Sequence, residues 1–134
     1  MARNLGKGGA SPLVYDALPA GIEAVTGSGC RAAQSVAEVS RGSDVIFLSL
    51  PGPDQIEEVV LGEDGILANA RPGLVLFDLS TSSRALALKL DEALRAHGGQ
   101  MMDAPISGGP AGAASGDLVL WVGGDRATFD AHEG

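Results

Sequence analysis

Hydrophobic residues occur in short continuous runs that glycine, proline and polar residues separate. The longer runs predict strands at Leu13–Asp16, Val45–Leu50, Leu74–Leu79 and Leu118–Val122. The second and third of these are apolar at nearly every position rather than at alternate ones, which is typical of parallel strands covered on both faces. Shorter runs predict further strands at Cys30–Ala33 and Gln100–Asp103.

Helical patterns lie between these strands. The clearest spans Ser83 to His97, and two glycines end it. Its apolar stripe at every fourth position consists of Leu86, Leu90 and Leu94. A second helix is predicted from Pro53, since proline suits the first helical position and the acids after it suit the positive end of the helix dipole. Weaker patterns cover Leu18–Val25 and Ser35–Arg41. Alternating strands and helices predict a doubly wound α/β domain with a parallel sheet.

Composition narrows the class of protein. The 134 residues suffice for one domain, and with 45% hydrophobic but only 4% aromatic residues its core must be aliphatic. A formal net charge of −8 makes nucleic acid and anionic membrane poor partners. No apolar run approaches the roughly 20 residues that span a bilayer. Cys30 is the only cysteine, which excludes a disulfide framework. We therefore expect a cytoplasmic protein.

Asp16 is the first candidate for cofactor binding. An acid at the end of the second strand of a dinucleotide-binding fold accepts hydrogen bonds from the adenosine ribose, and its charge would repel a 2′-phosphate. This favours NAD over NADP. The alternative is a turn aspartate that caps the helix starting at Leu18. The segment from Gly6 to Ser11 resembles a glycine-rich phosphate loop, but no strand precedes it, so it predicts the end of a helix and a turn.

The segment Asp103-Ala104-Pro105-Ile106-Ser107-Gly108-Gly109 carries the strongest signal. It predicts a strand ending at Asp103, followed by a loop whose glycines let backbone amides approach an anion. The Ser107 hydroxyl can donate a hydrogen bond beside those amides. Composition alone leaves open a flexible Gly/Ala turn.

With its continuation to Gly116, this segment (DAPISGGPAGAASG) resembles the substrate-binding signature of the β-hydroxyacid dehydrogenases. That family includes 3-hydroxyisobutyrate dehydrogenase and tartronate semialdehyde reductase. Other segments fit in the family's order and spacing: MARNLGKGGASPLVYD, SDVIFLSLPGPDQIEEVVLGEDGIL, PGLVLFDLSTSS and LWVGGD. The resemblance implies a Rossmann-type domain over residues 1–134 and hydride transfer between NAD, or NADP, and the alcohol of a small 3-hydroxy acid.

The resemblance also implies roles for individual residues. Leu50 and Pro51 match the turn that borders the cofactor, Gln55 matches a nearby contact, and Thr81 matches the threonine beside the nicotinamide. The group that holds the substrate's carboxylate and hydroxyl is matched by Ser107, Gly108 and Gly109. Each position also has a structural alternative: Pro51 ends a strand, and the serines from Ser80 to Ser83 cap a helix.

The chain also departs from the family pattern. In the family, a strand and a glycine-rich loop precede the residues matching Met1–Leu5, and the general-base lysine lies on a helix beyond the nucleotide domain. Neither Lys7 nor Lys89 falls at the matching place. We therefore expect a truncated domain whose Leu13 and Val45 strands flank a missing central strand. The helical domain would also be absent, so the chain alone would be inactive.

Two functional readings remain open beside the 3-hydroxyisobutyrate dehydrogenase one. The nearest enzymatic alternative is a tartronate semialdehyde (2-hydroxy-3-oxopropionate) reductase. The alternative from another class is a non-catalytic nucleotide-binding remnant. Because the family's subunit contacts commonly involve the helical domain, we expect the full-length form to be a homo-oligomer.

Overall fold

The computed structural model describes residues 1–132, in which helices and short strands alternate. The strands are β1 (Leu13–Val14), β2 (Arg31–Ala32), β3 (Val45–Leu48), β4 (Val75–Asp78), β5 (Gln100–Asp103), β6 (Ile106–Ser107) and β7 (Val119–Leu120). The helices are α1 (Ala2–Lys7), α2 (Pro19–Glu23), α3 (Val36–Gly42), α4 (Pro53–Leu61), α5 (Ile66–Asn69), α6 (Arg84–Ala96), α7 (Gly109–Ser115) and α8 (Arg126–His132). None of the helices in residues 1–132 has the length and apolar character needed to cross a membrane.

The strands from β1 to β5 pair in parallel, as the sequence predicts. β1 pairs with β2, and β3, β4 and β5 form a three-stranded parallel sheet in that order. Every predicted strand is present, although most are shorter than predicted: Asp16 and Leu50 lie beyond the ends of β1 and β3. The prediction missed β6, which pairs antiparallel with β7.

The main core lies between the three-stranded sheet and helices α4 and α6. The predicted stripe of α6 is confirmed, because Leu86, Leu90 and Leu94 are 6%, 0% and 1% exposed. Ser83 caps this helix by accepting a hydrogen bond from the amide of Leu86. All residues of β4 are buried, so the prediction that both its faces are covered is also confirmed.

The same prediction is wrong for β3. Leu48 is buried, but Phe47 on the opposite face is 52% exposed and stacks on Phe77 at 5.1 Å between ring centroids. Within residues 1–132, β1 and β3 each have a strand partner on one edge only. This pairing agrees with the prediction that they flank a central position without a strand.

One further expectation needs correction. The segment after Gly108 is a helix, α7, rather than an extended glycine-rich loop, since Pro110 stands in its first turn and its alanines favour helix. At the other end of the described chain, His132 belongs to α8, and its Nδ1 lies 2.7 Å from the carbonyl oxygen of Thr128. The predicted turn after α1 is confirmed.

Candidate functional site

The predicted site residues follow the carboxyl ends of parallel strands. Asp16 follows β1, Leu50 follows β3 and Thr81 follows β4, whereas Ser107 stands four residues beyond the end of β5. In open α/β sheets the carboxyl ends of the strands line the ligand crevice, at the point where the strand order reverses. β1 pairs with β2 in one sheet, and β3 pairs with β4 in a separate one. If a strand between β1 and β3 joined the two sheets, the strand order would reverse there.

Asp16 is exposed and shapes the turn into α2. Its Oδ1 accepts a hydrogen bond from the amide of Leu18 at 2.8 Å, which is the helix-capping geometry of the alternative interpretation. Its Oδ2 lies against Gly21, where an added Cβ would sit 2.0 Å away. One oxygen is therefore used by the turn, and the carboxylate still faces solvent.

Leu50 and Pro51 form the turn between β3 and α4. Leu50 is half-buried, Pro51 is exposed, and Gly52 is the N-cap of α4. Gln55 stands exposed in the first turn of that helix. This turn therefore presents backbone and one amide side chain at the carboxyl end of β3.

Thr81 is exposed, whereas Ser80 beside it is only 5% exposed. The Ser80 hydroxyl accepts a hydrogen bond from the amide of Leu50 at 2.9 Å, and the Ser80 amide donates to Oδ1 of Asp78 at 3.0 Å. The capping interpretation thus holds for Ser83 but not for Ser80. Neither Ser80 nor Asp78 was singled out from the sequence as a functional residue, although both stand in the run that leads into Thr81.

Ser107 and the two glycines after it connect β6 to α7. Ser107 is exposed and pairs with Val119. Gly108 has φ +123° and Gly109 has φ +57°, conformations that favour glycine. A Cβ on Gly109 would have no heavy atom within 4 Å, so the space beside its backbone is open. An exposed hydroxyl and exposed glycine backbone therefore lie next to each other here, and anion binding by this segment stays a prediction.

The side chains of Asp78 and Asp103 lie on neighbouring strands at the same end of the three-stranded sheet. Asp78 and Asp103 are paired in register at the ends of β4 and β5. Burial, and to a lesser extent the charge of Asp78, raises the pKa of Asp103 above its usual range. Asp78 is fully buried, and its Oδ2 has no hydrogen-bond partner among residues 1–132.

Both lysines are exposed, and no hydrogen bond among residues 1–132 joins either of them to Ser107. Lys89 on α6 forms an exposed ion pair with Glu57 on α4 at 2.5 Å, and Lys7 is exposed at the end of α1. Within the described range 1–132, no group of three or more His, Cys, Asp or Glu side chains is arranged to hold a metal ion.

Comparison with known proteins identifies relatives along the whole chain. Residues 1–134 match the family described as the NAD binding domain of 6-phosphogluconate dehydrogenase. The chain is 39% identical over 130 residues to the NAD-dependent L-serine dehydrogenase of Pseudomonas aeruginosa, covering 97% of this chain and 44% of the relative. It is 36% identical to the 3-hydroxyisobutyrate dehydrogenase of the same organism, covering 96% and 43%. Identity to the 2-hydroxy-3-oxopropionate reductase of Escherichia coli is 34%, covering 97% and 44%.

Solved structures give the same result. A putative oxidoreductase from Mycobacterium avium superposes with a TM-score of 0.89 at 32% identity, covering 98% of this chain and 46% of the other. Psf3, solved in complex with NADP+ and 2-OPP, superposes with a TM-score of 0.89 at 25% identity, covering 97% and 46%. The chain thus spans less than half the length of these relatives.

Proposed function

The chain belongs to the family of the NAD-binding domain of 6-phosphogluconate dehydrogenase, and on that premise we propose that it forms the nucleotide-binding part of a 3-hydroxyisobutyrate dehydrogenase-like enzyme. The reaction is hydride transfer between NAD and the alcohol carbon of a small 3-hydroxy acid. One observation carries the proposal. The segments with Asp16, Leu50–Pro51 and Thr81 follow the carboxyl ends of the parallel strands β1, β3 and β4, and Ser107 lies in the segment that follows β5.

The residues present fit a dinucleotide. The exposed carboxylate of Asp16 suits the ribose hydroxyls, and the Leu50–Pro51 turn and Gln55 border the crevice on the β3 side. Thr81 offers an exposed hydroxyl at the end of β4. The bound nicotinamide would supply the hydride chemistry, while these residues bind and orient it.

Ser107, Gly108 and Gly109 would bind the substrate. The serine hydroxyl and the glycine amides are donors for a carboxylate or a developing alkoxide, and the open space beside Gly109 leaves room for it. L-Serine, 3-hydroxyisobutyrate and the reduced form of 2-hydroxy-3-oxopropionate share this chemistry, since each carries a carboxylate and a hydroxyl on the third carbon. The last of these keeps the tartronate semialdehyde reductase as the second candidate, supported by the Escherichia coli relative.

The proposed cofactor is NAD rather than NADP. The carboxylate of Asp16 would lie near a 2′-phosphate and repel it, and the next basic side chain along the sequence is Arg31. The Asx-type turn that Asp16 makes with Leu18 holds the carboxylate in place without neutralising its charge.

A chimaera tests the proposal. This chain replaces the matching segment of the 3-hydroxyisobutyrate dehydrogenase of Pseudomonas aeruginosa, which supplies the remainder of that enzyme. We expect turnover with 3-hydroxyisobutyrate and NAD, and a fall in kcat/KM of about tenfold or more in Ser107→Ala, since a donor to the reacting oxygens is lost. Ser115→Ala is the matched control, because the Ser115 hydroxyl bonds only carbonyl oxygens of its own helix, α7.

The same chimaera tests the cofactor. NAD should give the higher kcat/KM, and Asp16→Ala should narrow its advantage over NADP. A folded chimaera without turnover on any of the three substrates would favour the nucleotide-binding remnant. Equal loss in Ser107→Ala and Ser115→Ala would contradict the role of Ser107.

A further inference from the structure

Ser80 connects two turns that the proposed function assigns to the cofactor. The turn after β3 contains Leu50 and Pro51, and the turn after β4 contains Thr81. Between them the Ser80 hydroxyl accepts the Leu50 amide hydrogen bond at 2.9 Å. The ladder between the strands ends just before this point, where the amide of Leu79 donates to the carbonyl oxygen of Leu48. The serine thus extends the pairing of β3 and β4 through a side chain.

Asp78 holds Ser80 in position through a hydrogen bond to its backbone amide. Its Oδ1 accepts from the Ser80 amide at 3.0 Å, and its carbonyl oxygen accepts from the amide of Ala104 at 2.8 Å. The second contact joins the end of β4 to the segment that leads to Ser107. Asp78 is fully buried, and its Oδ2 has no partner among residues 1–132. Leaving a buried carboxyl oxygen without a hydrogen-bond partner costs stability, and such costs occur more often at functional sites than elsewhere in a fold.

We propose that Ser80, held by the buried Asp78, is a positioning residue that sets the Leu50–Pro51 turn and Thr81 in register for the dinucleotide. The inference rests on the proposed function. It assigns Ser80 no contact with cofactor or substrate. Because the effect passes through the Leu50 amide, loss of the hydroxyl should change how the cofactor is held while leaving the substrate donors at Ser107 in place.

A purely structural role for Ser80 predicts a different result. The hydroxyl would then only satisfy a backbone amide at a strand end, and its loss would lower stability alone. Ser83 provides the matched control, since its hydroxyl also accepts one backbone hydrogen bond, from Leu86, but at the start of α6. The two serines differ in the amide that they bind. The partner of Ser80 lies in the Leu50–Pro51 turn, whereas the partner of Ser83 lies in the first turn of α6.

The test compares Ser80→Ala, Ser80→Thr and Ser83→Ala. Hydrogen exchange of the Leu50 amide is followed by mass spectrometry, and the KM values for NAD and for 3-hydroxyisobutyrate are measured, all in the chimaera described above. In Ser80→Ala we expect exchange at Leu50 to quicken and the KM for NAD to rise, each by about threefold to tenfold, with the KM for the hydroxy acid unchanged. Ser80→Thr keeps the hydroxyl and should restore both values. Ser83→Ala should lower the denaturation midpoint without moving either.

The outcomes separate the inference from its premise. If Ser80→Ala quickens Leu50 exchange but leaves the KM for NAD unchanged in an active chimaera, the positioning role is wrong and the proposed function stands. The role is also wrong if Ser83→Ala raises the KM for NAD as much, or if Ser80→Thr behaves as Ser80→Ala does. A chimaera without turnover before any substitution overturns the proposed function, and this inference falls with it.

Discussion

At the scale of single residues, the ionisation of Asp103 at the end of β5 makes the stability of the fold depend on pH. Its pKa is raised, first by burial and then by the charge of Asp78. A carboxyl with a higher pKa in the folded state binds its proton more tightly there than in the unfolded chain. Its favourable contribution to folding is therefore complete below the unfolded value of about 3.8 and is lost as pH rises through the folded pKa.

Asp103→Asn should therefore stabilise the chain at neutral pH. The amide removes a carboxylate whose ionised form opposes folding, so the urea midpoint should rise at pH 7, and this gain should shrink to nothing as the pH falls below about 4. Asp44→Asn is the control, because Asp44 forms only an exposed pair with Arg71 at 3.1 Å. A gain that does not change between pH 3 and pH 7, or an equal gain in Asp44→Asn, would contradict the argument.

At the scale of elements, the connection from β6 to α7 depends on backbone that glycine alone adopts easily. Gly109 at φ +57° has open space around it, so alanine there meets only the left-handed backbone penalty. Gly108 at φ +123° is worse placed, since its Cβ would also lie 3.1 Å from Cδ2 of Leu118 and 3.2 Å from the carbonyl oxygen of Asp117.

Alanine at these two positions should therefore differ in cost. Gly109→Ala should lower the free energy of unfolding by about 1–2 kcal/mol, and Gly108→Ala by more, because it combines strain with close contacts. Urea denaturation of both variants measures the difference. The reverse order, or no loss in either variant, would show that this connection adopts another backbone conformation in solution.

Elements can be predicted from the sequence when the residue pattern that specifies them lies within one short segment. Helix α6 has its stripe, its cap at Ser83 and its stop at Gly98 within one segment, and β4 has an unbroken apolar run. The sequence does not predict β6, because a two-residue strand exists only through pairing with β7, more than ten residues away. The helix α7 was missed because the composition of its residues suggests a turn.

Some residues of the candidate site could likewise be predicted from the sequence, and others only from the structure. Motif resemblance singled out Thr81 and Ser107, which need only be exposed at strand ends. Ser80 and Asp78 gain their roles from contacts across strands, to Leu50 and Ala104, that no spacing along the chain reveals. The exposed face of β3 was missed for a related reason. An apolar run shows that both faces of a strand can be buried, but it does not show whether another element covers each face.

At the scale of the whole molecule, the sheet edges control how the chain behaves in solution. Within residues 1–132, β1 and β3 each have one unpaired edge, and β3 also exposes Phe47 by 52%. An apolar strand with free backbone donors and acceptors can pair with another copy of itself. Against this acts a formal net charge of −8, which makes the copies repel one another.

We therefore expect the 134-residue chain to self-associate through β3 and to bind the apolar dye ANS. Added salt should strengthen the association, because it screens the repulsion between acidic copies and leaves strand pairing intact. Phe47→Glu should weaken association and ANS binding, since it places a charge on the open face of the edge strand. Leu88→Glu is the matched control: Leu88 is 57% exposed but lies on α6, so its replacement should leave association unchanged. Sedimentation velocity over a range of protein and salt concentrations measures the effect. A chain that stays monomeric without binding ANS, or equal effects of the two substitutions, would show that β3 is not an open edge.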